Sequence, residues 1–400
     1  MRRVMTIVAV LGLTAVRSPA SDWPGWRGPE RNGVSERSPA LVPRLSGTGS
    51  AWRTEGLASG EEGGRGSLAV AGGRVYGLTR GGGEASPDEV FCLEAASGKE
   101  VWRTRLGDGS GREPSSATPC VYRGRVYVPG SANRLLCLDA ATGSPLWSAP
   151  LERKEKGALA SSVAAVAGIV ALQADALVAF DADSGRKLWT QERVGGYQSS
   201  PAVWQSRAGQ TYFIANARLE TVCVEAATGK VAWSVPGGEL STPAVAAEYG
   251  GDFLAVLSGG RRNGLTAYLL ADDGPRKLWS YPAHDRGASP IIYNGHVYAI
   301  AGGSNGHGAR ALCIHLDSGT VAWEETIDFA EVSSPVLVDG KILAVCGTFL
   351  RVIAAQPEEC SFLSIADCRV TLCTSPAVAD GRLFLRQANA VVCYDLRGRE

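Results

Sequence analysis

A repeat of about forty-four residues constrains the fold of this chain more than any other feature. An eleven-residue pattern recurs in which the first residue is small, the seventh is Gly and the eleventh is Trp. Five copies occupy residues 92–102, 137–147, 179–189, 223–233 and 313–323. A sixth copy, ending at Trp279, carries one extra residue after its Gly. Because a regular period of roughly 40 to 50 residues is typical of repeat architectures, we expect one repeat domain rather than several unrelated ones.

Two further signals divide each repeat into strands. Ser-Pro or Thr-Pro dipeptides open apolar stretches at residues 118–119, 200–201, 242–243, 289–290, 334–335 and 375–376. Two-residue turns recur in phase with them at 72–73, 123–124, 294–295, 339–340 and 380–381, and the Asn-Gly and Asp-Gly pairs among them suit tight hairpins. Each repeat therefore predicts four antiparallel strands, the last of which carries the Trp. This is the pattern of a β-propeller blade.

The number of blades follows from the length of the repeat region. Residues 49–400 hold eight periods of 44 residues. Cys393 begins a last copy of the pattern that has no Trp, whereas Trp52 lies on a fourth strand without the three that should precede it. We expect the Trp52 strand to complete the eighth blade, because this pairing removes an open sheet edge. The prediction is an all-β, eight-bladed β-propeller of four-stranded antiparallel blades, closed by its N-terminal strand.

The first 20 residues have the pattern of a secretory signal peptide. Arg2 and Arg3 precede an apolar run over residues 4–16, and a small-residue cleavage site ends at Ala20. An uncleaved membrane anchor is the alternative, although the run is shorter than the roughly 20 residues of a spanning helix. We expect a signal peptide at 1–20, an N-terminal arm at 21–48 and the propeller at 49–400. The mature chain is expected to be periplasmic or secreted, without a transmembrane span.

The recurring Trp and Gly residues have mechanical explanations. Gly permits the left-handed conformation of a tight turn, and Trp offers a broad face to bury with one N–H to satisfy. Regular recurrence favours packing between blades over a ligand cage built from any one Trp. The predicted docking residues are Trp52, Trp102, Trp147, Trp189, Trp233, Trp279, Trp323, Gly98, Gly143, Gly185, Gly229 and Gly319.

Two repeats depart from the pattern. Repeat three has Ser162-Val163 in place of Ser-Pro, and repeat seven, over about residues 333–370, lacks both the Trp and the Thr-Gly turn. Repeat seven is therefore expected to be the irregular blade.

The cysteines divide into two groups. Five of the ten occupy the first position of the pattern, which favours a small buried apolar side chain. Cys346, Cys360, Cys368 and Cys373 lie in or beside repeat seven, and one disulfide among them stays open at this point. No metal site is predicted, because no Cys-x-x-Cys pair occurs and no His lies close to these cysteines.

The docking pattern, Ala/Cys-x-Asp-x-x-Thr/Ser-Gly-x-x-x-Trp, resembles the tryptophan-docking motif of PQQ-type quinoprotein propellers. BamB, the propeller subunit of the outer-membrane barrel-assembly machinery, shares this motif. The resemblance covers residues 49–400 and implies the propeller fold. A BamB-like protein would have no cofactor and would bind other proteins of the cell envelope.

The quinoprotein side of the resemblance implies a different function. Quinoprotein alcohol dehydrogenases are similar in topology but longer, with an adjacent Cys-Cys disulfide against the quinone and a calcium site. No Cys-Cys pair occurs here. PQQ is a tricarboxylate and would need cations on the rim of the channel, for which the weak candidates are Arg261, Arg262, Arg286, His307 and Arg310. PQQ with calcium is therefore kept as an alternative to having no cofactor.

Two function hypotheses follow. In the first, the chain is an exported, non-catalytic scaffold whose rim binds envelope or secreted proteins, or glycans, with contacts near loops 259–264 and 302–309. In the second, it is a small PQQ-dependent oxidoreductase acting on alcohols or sugars. Nucleic acid is not an expected partner, because 40 basic side chains are balanced by 40 acidic ones. The sequence contains no motif of another catalytic class, so no catalytic residue is assigned.

Overall fold

A computed structural model of the chain describes residues 22–42, 49–81, 86–107, 113–130, 132–153, 159–196, 198–258, 264–271, 273–302, 308–327 and 331–397. Within these ranges the regular secondary structure consists of strands, with no helix. The strands form eight sheets, each built around four neighbouring antiparallel strands. The prediction of an eight-bladed, all-β propeller is confirmed.

The first four blades each use four consecutive strands. Blade 1 contains β3 (Ala69–Ala71), β4 (Arg74–Arg80), β5 (Asp88–Glu94) and β6 (Glu100–Leu106). Blade 2 contains β7 (Cys120–Tyr122), β8 (Arg125–Gly130), β9 (Arg134–Asp139) and β10 (Pro145–Pro150). Blade 3 contains β11 (Ala164–Val166), β12 (Ile169–Gln173), β13 (Leu177–Asp181) and β14 (Lys187–Gln191). Blade 4 contains β15 (Ala202–Gln205), β16 (Thr211–Asn216), β17 (Glu220–Glu225) and β18 (Val231–Pro236).

The remaining blades follow the same order, with additions from the N-terminus. Blade 5 contains β19 (Ala244–Glu248), β20 (Gly251–Leu257), β21 (Leu265–Ala271) and β22 (Gly274–Tyr281). Blade 6 contains β23 (Ile291–Tyr293), β24 (His296–Gly302), β25 (Ala309–His315) and β26 (Val321–Ile327). Blade 7 contains β27 (Val336–Val338), β28 (Lys341–Cys346), β29 (Phe349–Ala354) and β30 (Phe362–Asp367), with β1 (Val34–Ser35) parallel to β27. Blade 8 contains β31 (Ala377–Ala379), β32 (Arg382–Gln387) and β33 (Ala390–Asp395), completed by β2 (Trp52–Glu55).

The ring closes as the sequence predicts. β2 pairs antiparallel with β33, and Trp52 lies opposite Cys393. The same pair of positions recurs in the regular blades, where Trp102 faces Cys92 across the third and fourth strands and a β-bulge follows. The small first residue of the pattern therefore leaves room in the sheet beside the indole.

Six of the seven predicted docking tryptophans, all except Trp233, donate an indole hydrogen bond to a carbonyl of the next blade. The Trp52 indole donates to the Ala95 carbonyl of blade 1 at 3.0 Å, and Trp102 donates to Ala140 of blade 2 at 3.2 Å. Corresponding bonds join Trp147 to Ala182, Trp189 to Ala226, Trp279 to Leu316 and Trp323 to Gln356.

The Gly of the pattern lies directly under this indole. At Gly143, φ is +73°, and a Cβ would stand 2.6 Å from the ring of Trp102. The same relation holds for Gly98 with Trp52, Gly185 with Trp147, Gly229 with Trp189 and Gly319 with Trp279. Two constraints, backbone conformation and space, therefore act on one residue.

Blade 7 is irregular, as expected. Ser364 occupies the position of the Trp, opposite Val352 and beside the usual bulge. Blade 5 also differs, because the pairing of its third and fourth strands continues to Ala271 and Gly274. The cysteines that the structure describes, including the four in or beside blade 7, are free thiols, so the disulfide left open by the sequence does not form here.

Antiparallel strands give the ring two distinct faces. The hairpin face carries the turns between first and second strands, such as Gly72–Gly73, and those between third and fourth strands. The loop face carries the loops between second and third strands and the connections from blade to blade.

The Ser and Thr residues before the first strands form a belt around the channel. The Thr118 amide donates to the Ser162 hydroxyl of the next blade at 2.9 Å, and the Ser289 amide donates to Ser334 at 2.9 Å. The belt contains Ser67, Thr118, Ser162, Ser200, Thr242, Ser289, Ser334 and Ser375, and the six bonds within it run in the same direction around the ring. Repeat three has no proline at this point, but Ser162 still accepts from Thr118 and donates to Ser200 like the equivalent residues of other blades.

Candidate functional site

Residues 22–42, the part of the predicted N-terminal arm that the structure describes, cross the central channel on the hairpin face. Trp23 exchanges two backbone hydrogen bonds with Val70 of blade 1, each at 2.7 Å, and Pro24 accepts one from Val121 of blade 2. Blades 1 and 5 lie opposite each other in a ring of eight, and the Trp26 indole donates to Thr242 of blade 5 at 2.9 Å. The arm therefore spans the full width of the channel.

The arm then returns along the far side of the ring. β1 pairs with β27 of blade 7, and Gly33 accepts from the Leu337 amide at 2.7 Å. Leu41 donates to the Asp339 carboxylate, and Val42 donates to the Leu396 carbonyl of blade 8 at 2.7 Å. First strands have free edges toward a propeller channel, and the arm satisfies these edges in blades 1, 2 and 7.

Two arginines of the arm are buried without a carboxylate partner. Arg27 is 2% exposed and donates to the carbonyls of Asn32 and Pro290. Burial lowers the pKa of Arg27 to about 9. Arg31 is 7% exposed, and its Nη1 lies 4.0 Å from the Cys120 sulfur. Burial is also the main cause that lowers the pKa of Arg31, opposed by Cys120.

A cavity of about 810 Å³ lies between the arm and blades 3 to 6. The arm contributes Pro24, Pro29, Arg31 and Val34 among other residues. The propeller contributes the ends of first strands, namely Ala165, Val166, Val203, Trp204, Gln205, Val245, Ala246, Ala247, Glu248, Ile292 and Tyr293, and also Asp252. The arm thus divides the hairpin-face opening, filling the side of blades 1, 2 and 7 and leaving an open space beside blades 3 to 6.

Two exposed leucines lie on the loop face above blades 4 and 5. Leu219 is 82% exposed and Leu240 is 39% exposed. The Gly237 amide donates to the Leu219 carbonyl, so the two loops are joined by a backbone bond. We call Leu219 and Leu240 the leucine patch. A shallow depression beside it is lined by charged residues that include Arg193 and Glu220, which form a salt bridge at 2.6 Å.

A buried carboxylate fixes the loop that carries Leu240. Asp285 accepts from the amides of Leu240 at 3.0 Å, Ser241 at 2.9 Å and Gly287 at 2.7 Å. Burial raises the pKa of Asp285, and these amide bonds act against that rise. The connections from blade 4 to 5 and from blade 5 to 6 are therefore tied through one side chain.

The rim candidates from the sequence occupy different surroundings. Arg286 lies against Gly302, where a Cβ would approach its Nε to 2.9 Å. Arg310 is on β25, and its guanidinium binds Glu324 on the fourth strand of blade 6, away from the channel axis. Arg261, Arg262 and His307 lie outside the described residues, as do residues 1–21 with the predicted signal peptide.

The sequence did not point to the residues that the structure brings together. Trp26, Arg27 and Arg31 come from the arm, and Thr242 was assigned only to the start of a strand. The Trp-Pro-Gly-Trp stretch at 23–26 is the one available signal, because two aromatic residues outside the repeat require a place to pack.

The described part of the chain holds no group of three or more His, Cys, Asp or Glu side chains placed to bind a metal ion. No helix in the same residues is long and apolar enough to cross a bilayer.

Comparison with known proteins gives a match to one protein family. The profile of a family described as "Outer membrane protein assembly factor BamB" matches residues 41–192 and 173–335. No curated protein matches the chain by sequence.

Solved structures share the fold at low sequence identity. BamB from Moraxella catarrhalis is 16% identical with a TM-score of 0.64, over 87% of this chain and 99% of that chain. Quinohemoprotein alcohol dehydrogenase from Comamonas testosteroni is 14% identical with a TM-score of 0.70, over 95% and 81%. A europium-containing methanol dehydrogenase is 12% identical with a TM-score of 0.66, over 93% and 90%. The similarity extends to BamB and to dehydrogenases alike, so it concerns the fold alone.

Proposed function

The chain belongs to the family described as outer membrane protein assembly factor BamB, and on this premise we propose that it is a scaffold that binds other proteins of the cell envelope. The partner's contact is an apolar segment that covers the leucine patch on the loop face. The sequence favoured loops 259–264 and 302–309 instead, and most of both loops lies outside the described residues.

The exposure of Leu219 supports this proposal most directly. Its side chain is 82% exposed, while a hydrogen bond from the Ala217 amide to the Glu220 carbonyl at 2.8 Å closes the short loop that carries it. An ordered backbone that displays an apolar side chain resembles the centre of a protein interface, since little conformational entropy is lost on binding. The neighbouring Arg193–Glu220 pair supplies the polar rim that such interfaces have.

The test is site-specific photocrosslinking in cells that export the full chain. A crosslinker at position 219 is expected to capture a defined envelope protein, and Leu240→Glu is expected to reduce that product at least about tenfold, as the loss of roughly 1.4 kcal/mol predicts. Tyr249 is a matched control, because it is 78% exposed but lies on the hairpin face. Equal capture from positions 219 and 249, or capture unaffected by Leu240→Glu, would contradict the proposal.

The quinoprotein alternative is tested on the same purified protein. Titration with PQQ and calcium, followed by quinone fluorescence and by dye reduction with alcohols and sugars, measures it directly. Saturable binding with dye reduction would replace the scaffold with an oxidoreductase. The rim candidate Arg310 gives this alternative little support, because it is paired with Glu324 on the fourth strand of its blade.

A further inference from the structure

The outer edge of blade 7 has the properties of an interface between two copies of this chain. We propose that two chains associate through β30, which pairs antiparallel with β30 of a second copy about a two-fold axis. β30 lies at the perimeter of the ring in blade 7, whereas the leucine patch lies on the loop face above blades 4 and 5. The inference is therefore independent of the scaffold function.

Two exposed apolar side chains lie next to each other on β30. Phe362 is 39% exposed and Ile365 is 52% exposed. The register around the bulge gives them the positions that Glu100 and Arg103 hold in blade 1. Glu100 and Arg103 form a salt bridge at 2.7 Å, so the two positions are neighbours on one face of the strand. Blade 7 thus has an apolar pair where blade 1 has an ion pair.

The other blades keep their outer strands polar at the position of Ile365. In them the residue after the Trp is charged or carries a hydroxyl, namely Arg53, Arg103, Ser148, Thr190, Ser234, Ser280 and Glu324. Each of their fourth strands also contains a Lys, Arg, Glu or Pro. Such residues prevent a free strand edge from pairing with another chain.

β30 has little of this protection. Its only charged residue is Asp367, the last of the strand, and that carboxylate accepts the Arg369 amide at 3.0 Å. Among the described residues, no strand pairs with the outer edge of β30. The backbone groups on this edge are therefore available to a further strand, and Phe362 and Ile365 provide apolar surface beside it.

The charges at the two ends of β30 favour a second copy as that further strand. Glu358 and Glu359 are exposed before the strand, and Arg369 is exposed after it. Antiparallel pairing about a two-fold axis sets the Glu359 end of each strand beside the Arg369 end of the other. Opposite charges then meet at both ends, and the same surface serves on both chains, as a two-fold dimer requires.

Sedimentation equilibrium of the purified full chain measures this association. The pairing of two six-residue strands is a small interface, so protein concentrations from about 1 to about 300 μM cover the weak affinity that it would give. A reversible equilibrium between monomer and dimer is expected. A monomer over the whole range, or assembly beyond the dimer, would overturn the proposal.

Ile365→Lys tests whether β30 is the contact. The variant is expected to raise the dissociation constant at least about tenfold, which corresponds to a loss of roughly 1.4 kcal/mol. It should fold, because Arg53 and Arg103 hold the same position in other blades, and thermal unfolding checks this. Leu146→Lys is the matched control, since Leu146 is 48% exposed on the outer strand of blade 2. Equal dissociation constants for the two variants would exclude β30 as the contact.

A charge exchange tests whether the partner strand belongs to a second copy. Arg369→Glu alone is expected to weaken the dimer by about twofold to fivefold, the range for an exposed ion pair. Adding Glu359→Arg to this variant should restore the dimer, because opposite charges again meet at both ends. Both residues are exposed, so the folded chain should tolerate the changes. A double variant as weak as Arg369→Glu alone would contradict the antiparallel pairing.

Discussion

The junctions between regular blades differ from the junction between blades 7 and 8 in the group that donates a hydrogen bond to one equivalent carbonyl of the following blade. At a regular junction, the Trp102 indole covers Gly143 and donates to the Ala140 carbonyl of the next blade. Blade 7 has Ser364 in place of the Trp. The equivalent carbonyl in blade 8 belongs to Leu396, and it accepts the Val42 amide of the N-terminal arm at 2.7 Å.

The difference teaches that the arm is a structural part of the ring as well as a cover for the channel. An indole satisfies a carbonyl and buries a broad surface in one step. The arm achieves this with a backbone amide and with Leu41, which is 5% exposed. Stability at a regular junction therefore depends on a side chain, whereas stability at the blade 7–8 junction depends on main-chain pairing.

Trp52→Ala is expected to have the largest effect on the regular side of the comparison. Trp52 joins blade 8 to blade 1 through Ala95, and truncation of a buried Trp typically costs about 3–5 kcal/mol. The free energy of unfolding from denaturant titration measures the loss. Tyr249→Ala, at a 78% exposed aromatic residue, is the control and should change the stability by less than about 0.5 kcal/mol. Similar losses from the two variants would contradict the docking role.

Gly143→Ala separates the two constraints on the turn glycine. A Cβ would lie 2.6 Å from the Trp102 ring at Gly143, whereas nothing lies within 4 Å at Gly124, and the φ angles are +73° and +72°. Both variants incur backbone strain of about 1–3 kcal/mol, and Gly143→Ala adds overpacking of roughly 1–3 kcal/mol. Denaturant titration of both variants measures the difference. Equal losses would mean that the indole moves aside without cost.

Val42→Pro tests the other side of the comparison. It removes the N–H that the Leu396 carbonyl accepts, and an unsatisfied buried acceptor costs about 1–3 kcal/mol. Val42→Ala keeps the N–H and should cost less. Hydrogen exchange in blades 7 and 8 is the more specific measurement, since faster exchange should be confined to that junction. Uniformly faster exchange around the ring would show that the arm has no local role there.

Replacing Asp181 with Asn is expected to have the smallest effect. Bonds from Ser184 side-chain and backbone donors lower the pKa of Asp181. A carboxylate with a lowered pKa in the folded state stabilises the protein above its unfolded value near 3.8, and this stabilisation is lost as pH falls through the folded pKa. Unfolding titrations at about pH 7 and at about pH 3 should therefore show a larger deficit of the Asn variant at the higher pH. A deficit that is the same at both values would exclude a role for the charge.

The sequence predicted the ring more completely than the site because the ring is periodic. Eight blades, closure by the Trp52 strand and the irregular blade 7 all followed from the spacing of Trp and Gly residues. The hydrogen-bonding role of the Ser-Pro and Thr-Pro positions was missed, since Thr118 and its equivalents act on a neighbouring blade, a relation that a linear pattern does not contain.

The arm carries no repeat, so its path could not be derived from spacing. β1 has only two residues, Val34 and Ser35, which is too short for an alternating pattern. Arg27 and Arg31 would be assigned to the surface from their charge alone, and their burial depends on the width of a channel that exists only after the ring closes. Of the rim candidates that the structure describes, Arg310 is held by Glu324 on the outer strand, a contact between strands that spacing along the chain does not show.

The direction of the tryptophan contacts has an evolutionary consequence. Each regular blade presents an indole on one side and a glycine turn on the other. The contact between blades is therefore head-to-tail, like the interfaces that close rings of identical subunits, and is not self-complementary. Tandem duplication of one repeat would yield a copy whose two sides already match its neighbours. Repeated duplication of one blade would therefore produce the regular junctions, whereas the junction between blades 7 and 8 also requires the arm, which is not a copy of the repeat.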